Sequence, residues 1–177
     1  LEKTGTTTLG SAVAYTPRMG YLVSDASAGK LYRYAYNALT ETYVLAETKT
    51  GSTSFGSAIV YAQASNIYVV SEPTSGSPKV YIYVLNNTIV SDDIVTYQTP
   101  IAAPLGVTNW GSKVSLSDDA RWLYVSDTDN NKVYVYRQDR INLDAGYFNV
   151  GETYIITSIG DTDFTAIGAI DNQVGVT

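Results

Sequence analysis

The stretch WGSKVSLSDDARWLYVSDTDNNKVYVY, residues 110–136, contains three short runs of β-forming residues separated by two polar turns. Earlier versions of it begin at Leu9, as LGSAVAYTPRMGYLVSDASAGKLYRY, and at Phe55, as FGSAIVYAQASNIYVVSEPTSGSPKVYIY. A fourth start, FTAIGAIDNQVGV, begins at Phe164, so the four starts are 46, 55 and 54 residues apart. Several strands in each unit of about 40–50 residues indicate the blades of a β-propeller.

The repeats predict an all-β chain, residues 1–177, that forms a single β-propeller domain or segment with blades of four antiparallel strands. Full repeats cover about 9–54, 55–109 and 110–163, residues 164–177 begin a partial blade, and residues 1–8 resemble the outer strand of a preceding blade. Second strands are predicted at 21–24, 67–71 and 122–126, third strands at 30–36, 79–85 and 132–137, and outer strands at 42–49, 94–101 and 153–160. Since no run of ten residues has a 3.6-residue apolar period, no long helix is expected.

The third strands alternate tyrosine with valine or isoleucine, as in residues 80–84 (VYIYV) and 133–136 (VYVY). Successive side chains of a strand point to opposite faces, so tyrosine lines one face and an aliphatic residue the other. A sheet with two apolar faces must be covered on both sides. The alternation therefore predicts blades that pack face to face with tyrosines between them.

Three repeats leave the outer faces of the terminal blades uncovered. We therefore expect a segment of a larger propeller, completed by further residues or by another chain. The alternative is a four-bladed ring in which residues 1–8 join residues 164–177. Because the sequence begins inside a repeat, it fits a processed chain, a fragment or such a ring.

The composition argues against several functions. The net charge is −6, and the 11 lysines and arginines are scattered, whereas nucleic acids and anionic membranes bind clustered cations. No run approaches the ~18 apolar residues of a membrane helix. Cysteine and histidine are absent, which excludes thiol nucleophiles, disulfides and the usual zinc sites, and removes the commonest proton-transfer side chain.

The segment LSDDARWLYVSDTDNNKVYVYR, residues 116–137, resembles the YVTN propeller repeat, with its polar turn, Tyr-Val strand, Asx-rich turn and Val-Tyr-Val-Tyr strand. The openings FGSAIV and WGSKVS resemble the FG-GAP repeats of integrin-type propellers. The two resemblances imply the propeller fold over nearly the whole chain. The calcium loop that FG-GAP repeats often carry is not expected, because the corresponding turns read TPRMG, AQASN and SDDAR.

One carboxylate recurs at the end of each second strand: Asp25, Glu72 and Asp127. These acids could form an arc that binds a cation or a sugar hydroxyl. A lysine opens each following strand (Lys30, Lys79 and Lys132), so we favour exposed acid–base pairs that flank hairpin turns. Asp can also accept hydrogen bonds from the backbone of its own turn.

Several acidic turns could also bind a metal ion. Asp127, Asp129 and Asn131 place oxygen atoms at alternate positions of one turn and are the best calcium candidate, although the turn lacks the glycine and distal Glu of an EF-hand loop. Turn chemistry accounts for them equally well. The adjacent pairs Asp118-Asp119 and Asp92-Asp93 are expected in solvated turns, because strand neighbours point apart and make poor catalytic dyads. No metal, cofactor or catalytic residue is predicted.

Two tryptophans could stack on a sugar. Trp110 occupies the position of Leu9, Phe55 and Phe164 in the other repeats, so we expect a structural apolar role. Trp122, beside Arg121, is the candidate for a ligand contact at a rim. The sequence Asn86-Asn87-Thr88 matches the N-glycosylation pattern, which matters only in a eukaryotic secretory setting.

These observations predict a non-catalytic structural or adhesive module of a phage virion or microbial surface, located outside the cell, on its surface or in a virion. Its partners would be other subunits of an assembly, the rest of the propeller or surface glycans, and neither nucleic acid nor membrane. One alternative is a carbohydrate-binding propeller. Another is a propeller lactonase or lyase, which we disfavour because the inner-strand starts offer only Gly, Ser, Ala and Lys113.

Overall fold

The structure is a computed structural model that describes residues 8–16, 20–85, 94–96, 99–137, 163–167 and 173. In these residues the strands form three antiparallel sheets, which we call the first, second and third blade. The first blade contains β1 (Leu9–Thr16), β2 (Gly20–Asp25), β3 (Lys30–Asn37) and β4 (Thr42–Thr50), in that order. The second contains β5 (Ile59–Ala62), β6 (Ile67–Glu72) and β7 (Lys79–Leu85), with β8 (Ile94–Thr96) and β9 (Ile101–Ala102) both paired to β7. The third contains β10 (Trp110–Leu116), β11 (Trp122–Asp127) and β12 (Lys132–Arg137).

The predicted all-β blade architecture is confirmed. The first blade has its four strands, and the helical segments of the described residues are short 3-10 turns at Gln63–Ser65 and Thr165–Ile167. The single outer strand predicted at 94–101 is wrong, since two short strands pair with opposite ends of β7. Pro100, which has no N–H to donate, precedes the second of them. The outer strand predicted at 153–160 and most of residues 1–8 and 164–177 lie outside the described residues. No helix among the described residues is long and apolar enough to span a membrane.

Each inner strand is preceded or opened by a glycine with positive φ: Gly10 (89°), Gly56 (87°) and Gly111 (91°). In the first and third blades the register with the second strand shifts just after this glycine, between Leu9 and Val13 and between Trp110 and Val114. A positive φ is a conformation in which glycine avoids the steric cost that other residues incur. The repeated Gly-Ser dipeptide thus lies at or just before the start of each of the three described inner strands, and in two of them the register is irregular there.

Each blade has two faces. The preceding face points toward the repeat before it in the sequence, and the following face points toward the repeat after it. Residues of the following face of the first blade and of the preceding face of the second form one buried cluster: Leu22, Leu31, Phe55, Tyr68, Val70, Tyr83 and Leu85. A second cluster joins the second and third blades: Ala62, Ile67, Val69, Val80, Ile82, Trp110, Ala120, Leu123 and Val125. Strand β5 contacts both β1 and β10, so the inner strands are neighbours. The blades therefore stack in chain order.

The tyrosine alternation acts as predicted. Tyr81 and Tyr83 of β7 pack toward the first blade, and Val80 and Ile82 pack toward the third. In β12, Tyr134 and Tyr136 pack toward the second blade. Both rings meet Trp110, the first residue of β10, edge-on at centroid distances of 6.5 and 6.0 Å. Tyrosine thus marks the preceding face of a blade, and the aliphatic residue marks its following face.

Candidate functional site

The three repeated acids end equivalent strands. Asp25, Glu72 and Asp127 are the last residues of β2, β6 and β11, and all three are buried. Because the blades share one strand order, these positions lie on the same rim, beside the starts of the inner strands. Each acid stands opposite its predicted lysine in register (Lys30, Lys79 and Lys132). We call this edge the acid rim.

The expectation that these acids form exposed pairs with the lysines is wrong, because the carboxylates are buried and accept hydrogen bonds from other groups. Asp25 Oδ1 accepts from Thr8 Oγ1 (2.6 Å), Ser27 Oγ (3.2 Å) and the Ala28 N–H (3.1 Å). Asp127 accepts from the backbone N–H (3.2 Å) and side-chain amide (3.0 and 3.1 Å) of Asn130. The predicted role in the turn is therefore confirmed for Asp25 and Asp127.

Ion pairs within the described residues involve other side chains. Glu47 lies 3.6 Å from Arg33 and 2.6 Å from Lys49, and all three are on β3 and β4 of the first blade. Asp119 lies 3.6 Å from Arg121 in an exposed turn. An exposed pair such as Asp119–Arg121 contributes only about 0–1 kcal/mol to stability.

Glu72 differs from the other two acids because it joins two blades. Its Oε2 accepts from the Ser52 N–H (3.1 Å), which lies between the first and second blades, and from the Tyr81 hydroxyl (3.1 Å). A Cβ added to Gly51 would lie 2.8 Å from the same oxygen. Burial, and then the charge of Glu72, raise the pKa of Tyr81 to about 12. The hydrogen bonds of this carboxylate therefore connect the first and second blades.

A serine before each acid forms a contact that we did not predict. The hydroxyl oxygens of Ser24, Ser71 and Ser126 accept hydrogen bonds from inner-strand N–H groups, respectively those of Ala12 (3.0 Å), Ala58 (3.0 Å) and Lys113 (2.9 Å). The Ser24 hydroxyl also donates to the Gly56 carbonyl of the next blade (2.6 Å). The sequence signal was present as Ser-Asp, Ser-Glu and Ser-Asp at equivalent positions, but the partner glycine is 32 residues away.

In the calcium candidate, the two carboxylates bind different donors. Asp127 binds Asn130, whereas Asp129 accepts from Thr108 Oγ1 (3.0 Å) and Asn109 Nδ2 (3.3 Å). Asn131 has a left-handed backbone, with φ of 53°. In the part of the chain that the structure describes, no three acidic, His or Cys residues are grouped so that they could hold a metal. The geometry favours turn chemistry.

Of the remaining acidic pairs, one lies in a solvated turn and the other lies outside the described residues. Asp119 Oδ1 accepts from Ser117 Oγ (2.6 Å) and the Arg121 N–H (3.1 Å), and these bonds, the serine's first, lower the pKa of its carboxyl. Asp118 and Asp119 are exposed, as expected for a solvated turn. Asp92-Asp93 and Asn86-Asn87-Thr88 lie outside the described residues.

The two tryptophans have different environments. Trp110 is fully buried between the second and third blades, so its predicted structural role is confirmed, and Phe55 is buried at the equivalent position. Trp122 is exposed on the following face of the third blade, and the Arg137 guanidinium lies 5.6 Å from its ring centroid. Lys113 is also exposed, on the inner strand β10.

No protein-family model matches this sequence, and no curated protein matches it. The YVTN and FG-GAP resemblances therefore remain predictions. Two solved structures, from Bacteroides fragilis and Bacteroides uniformis, share the fold, each with a TM-score of 0.57 and with 12% and 13% identity. In each case the match covers 73% of this chain and 36% of the other, so it spans about a third of those proteins' length.

Both structures are described as a "putative 6-phosphogluconolactonase". The prediction that this chain is not an enzyme is therefore corrected, because these two structures, which share its fold, are described as lactonases. At these identities the likeness concerns the fold, and many unrelated activities occur on one fold. The comparisons and the stacked antiparallel sheets together give the conclusion that this chain folds as β-propeller blades.

Proposed function

We propose that this chain supplies blades to a propeller hydrolase that opens a carbohydrate lactone. The observation that carries the proposal is the backbone likeness to two structures described as 6-phosphogluconolactonases. The alternative of a propeller lactonase, disfavoured on sequence grounds, thereby becomes the leading one. Neither of these structural likenesses favours a virion or adhesive role.

Lactone hydrolysis makes modest demands on side chains. Water adds to the ring carbonyl, the ring oxygen leaves with a proton, and the product is a hydroxy acid. The protein must hold the substrate and stabilise the oxyanion of the tetrahedral intermediate. A chain without histidine can meet these demands with backbone N–H groups, hydroxyls and cations.

Lys113 is the described cation that best suits an anionic sugar. It is exposed on β10, and inner strands border the central channel of a propeller. An ammonium group binds phosphate as a point charge. We therefore assign Lys113 a role in binding the substrate. The buried acids of the acid rim are excluded as bases by their structural hydrogen bonds.

The test is hydrolysis of 6-phosphogluconolactone by the purified 177-residue chain, measured against the spontaneous rate in the same buffer. We expect a saturable acceleration, and a several-fold higher KM in Lys113→Ala, because a phosphate contact is lost. Lys132→Ala, which removes an exposed lysine from a hairpin on β12, should leave KM unchanged. A rate equal to the spontaneous one, with no saturable binding of 6-phosphogluconate, would contradict the proposal.

The setting of this activity rests on the repeat style alone. An extracellular, cell-surface or virion location, and glycans or assembly subunits as partners, are proposals that the fold likeness does not address. Catalysis on a small soluble lactone requires none of these partners. The activity assay therefore tests the proposed function independently of the location.

A further inference from the structure

Arg33 is a buried charge at a position where the other repeats carry an aliphatic residue. It is the fourth residue of β3, and Ile82 and Val135 are the fourth residues of β7 and β12. Ile82 belongs to the core between the second and third blades. Arg33 is 6% exposed and stands opposite Leu22, a residue of the core between the first and second blades. A group that stays ionised in proteins thus occupies an apolar position of the repeat.

The guanidinium of Arg33 lacks the partners that a buried charge needs. Its Nε atom lies 3.6 Å from Glu47 Oε2, which is beyond hydrogen-bond distance, and it makes no hydrogen bond. In the described part of the chain, Glu47 is its only ion-pair partner. A guanidinium carries five N–H donors, and buried polar groups nearly always have hydrogen-bond partners. The exception indicates an acceptor that comes from outside the chain.

Glu47 does not neutralise this cluster, because its carboxylate faces two cations. Its Oε1 atom lies 2.6 Å from Lys49 Nζ, whereas its Oε2 atom lies 3.6 Å from Arg33. Two cations and one carboxylate leave one positive charge uncompensated among these three residues. The side chains of Arg33, Glu47 and Lys49 are 7%, 15% and 31% exposed, so solvent reaches the cluster from the side of Lys49.

The second blade supplies the opposite wall of this cluster. Tyr68 and Tyr83, on its preceding face, belong to the core between the first and second blades. Burial is the largest cause that raises the pKa of both phenols. The charge of Arg33 acts against that rise in Tyr68, and the charge of Glu47 adds to it in Tyr83, so each tyrosine lies near one of the two ions. Both phenols are protonated at neutral pH, and the wall therefore carries hydroxyl donors rather than a negative charge.

We propose that the junction between the first and second blades binds an oxyanion, a carboxylate or a phosphate group, on Arg33. A planar guanidinium forms two parallel N–H···O bonds with such a group, which fits a side chain whose donors are unpaired. Lys49 adds a second positive charge, and one negative charge from the ligand balances the cluster. Lys113 lies on β10 of the third blade, so this site is separate from the proposed substrate contact and does not depend on lactone hydrolysis.

Thermal unfolding during a titration with inorganic phosphate, and separately with acetate, tests the site. Sodium chloride holds the ionic strength constant in every sample. A ligand that binds only the folded chain stabilises it by mass action, so the melting temperature of the 177-residue chain should rise as the oxyanion is added. Isothermal titration calorimetry should give a saturable dissociation constant on the order of 1 mM. The oxyanion with the lower constant identifies which of the two groups the site prefers.

Two substitutions of Arg33 separate binding from folding. Arg33→Ile introduces the residue found at the equivalent position of β7, and it leaves Glu47 paired with Lys49. This variant should lose the response to both oxyanions but should be at least as stable as the unmodified chain in chloride alone, because a buried charge with unpaired donors is removed. Arg33→Lys should bind several-fold more weakly, because an ammonium group cannot form the two parallel bonds. Circular dichroism verifies that both variants fold.

Arg121→Met is the matched control, because Arg121 also lies 3.6 Å from a carboxylate, that of Asp119, but its side chain is 63% exposed. This variant and Lys113→Ala should keep the full response. Three results would overturn the proposal. The first is an unmodified chain that does not respond beyond the chloride reference, since water would then be the acceptor for Arg33. The second is a response that survives in Arg33→Ile, and the third is an equal loss in Arg121→Met or Lys113→Ala.

Discussion

At the scale of single residues, the contact between Ser24 and Gly56 is the most informative. The Ser24 hydroxyl bridges its own inner strand, through the Ala12 N–H, and the next blade, through the Gly56 carbonyl. Both bonds belong to a fully buried serine, and an unpaired buried group costs about 1–3 kcal/mol. Position 56 requires glycine for two reasons: its φ is positive, and a Cβ there would clash with Ser24.

Substitution of two glycines separates these requirements. Gly10→Ala should cost about 1–2 kcal/mol of unfolding free energy, because alanine disfavours positive φ and its Cβ would meet no atom within 4 Å. Gly56→Ala adds the clash with Ser24, which should cost a further ~1–3 kcal/mol. Urea unfolding of both variants measures the difference. Equal losses would show that Ser24 and Gly56 do not pack as described.

At the scale of strands, the tyrosines pack in pairs between blades. Tyr61 and Tyr68 stack with centroids 4.4 Å apart, and Tyr81 meets Phe55 edge-on at 5.1 Å. Pairs of this kind contribute about 0.5–1.5 kcal/mol beyond burial. Burial is the largest cause that raises the pKa of Tyr61 and Tyr81 to about 12 and that of Tyr68 and Tyr83 further.

The raised tyrosine pKa values predict a loss of stability in alkali. Above pH 10.0, the ordinary value, unfolded tyrosines release protons that the folded chain retains, so the free energy of unfolding falls as pH rises through about 12. Urea midpoints at pH 8, 10 and 11 measure the loss. Tyr81→Phe should lower the midpoint at pH 8, where Glu72 loses a donor, but reduce its further fall above pH 10. An unchanged alkaline slope in this variant would contradict burial of the phenol.

The sequence predicted those features that a local pattern of residues determines. Alternation in β7 and β12 predicted which residues lie between blades, and the recurring acids were correctly placed at hairpin turns. The burial of those acids was missed because it depends on neighbouring blades: Glu72 is bound by Ser52, 20 residues earlier. The serine–glycine contact was missed for the same reason. Both are long-range contacts that a repeat pattern in one strand does not contain.

At the scale of the whole molecule, stability is a sum over blades and the junctions between them. In the described residues each blade contacts its neighbours in the stack, as in other repeat proteins. The second blade takes part in two junctions, one with the first blade and one with the third. A substitution at either junction therefore acts on the second blade as well as on its neighbour.

The glycine at or just before the start of each described inner strand and the serine just before the last residue of each second strand also bear on how such a gene lengthens. Since both recur in the repeats that begin at residues 9, 55 and 110, tandem duplication of one repeat would encode an additional unit that already fits on either side. Selection would need no new compensating changes at the join. The angle between consecutive units, rather than their chemistry, would then fix how many complete the circle and how wide a passage remains at its centre.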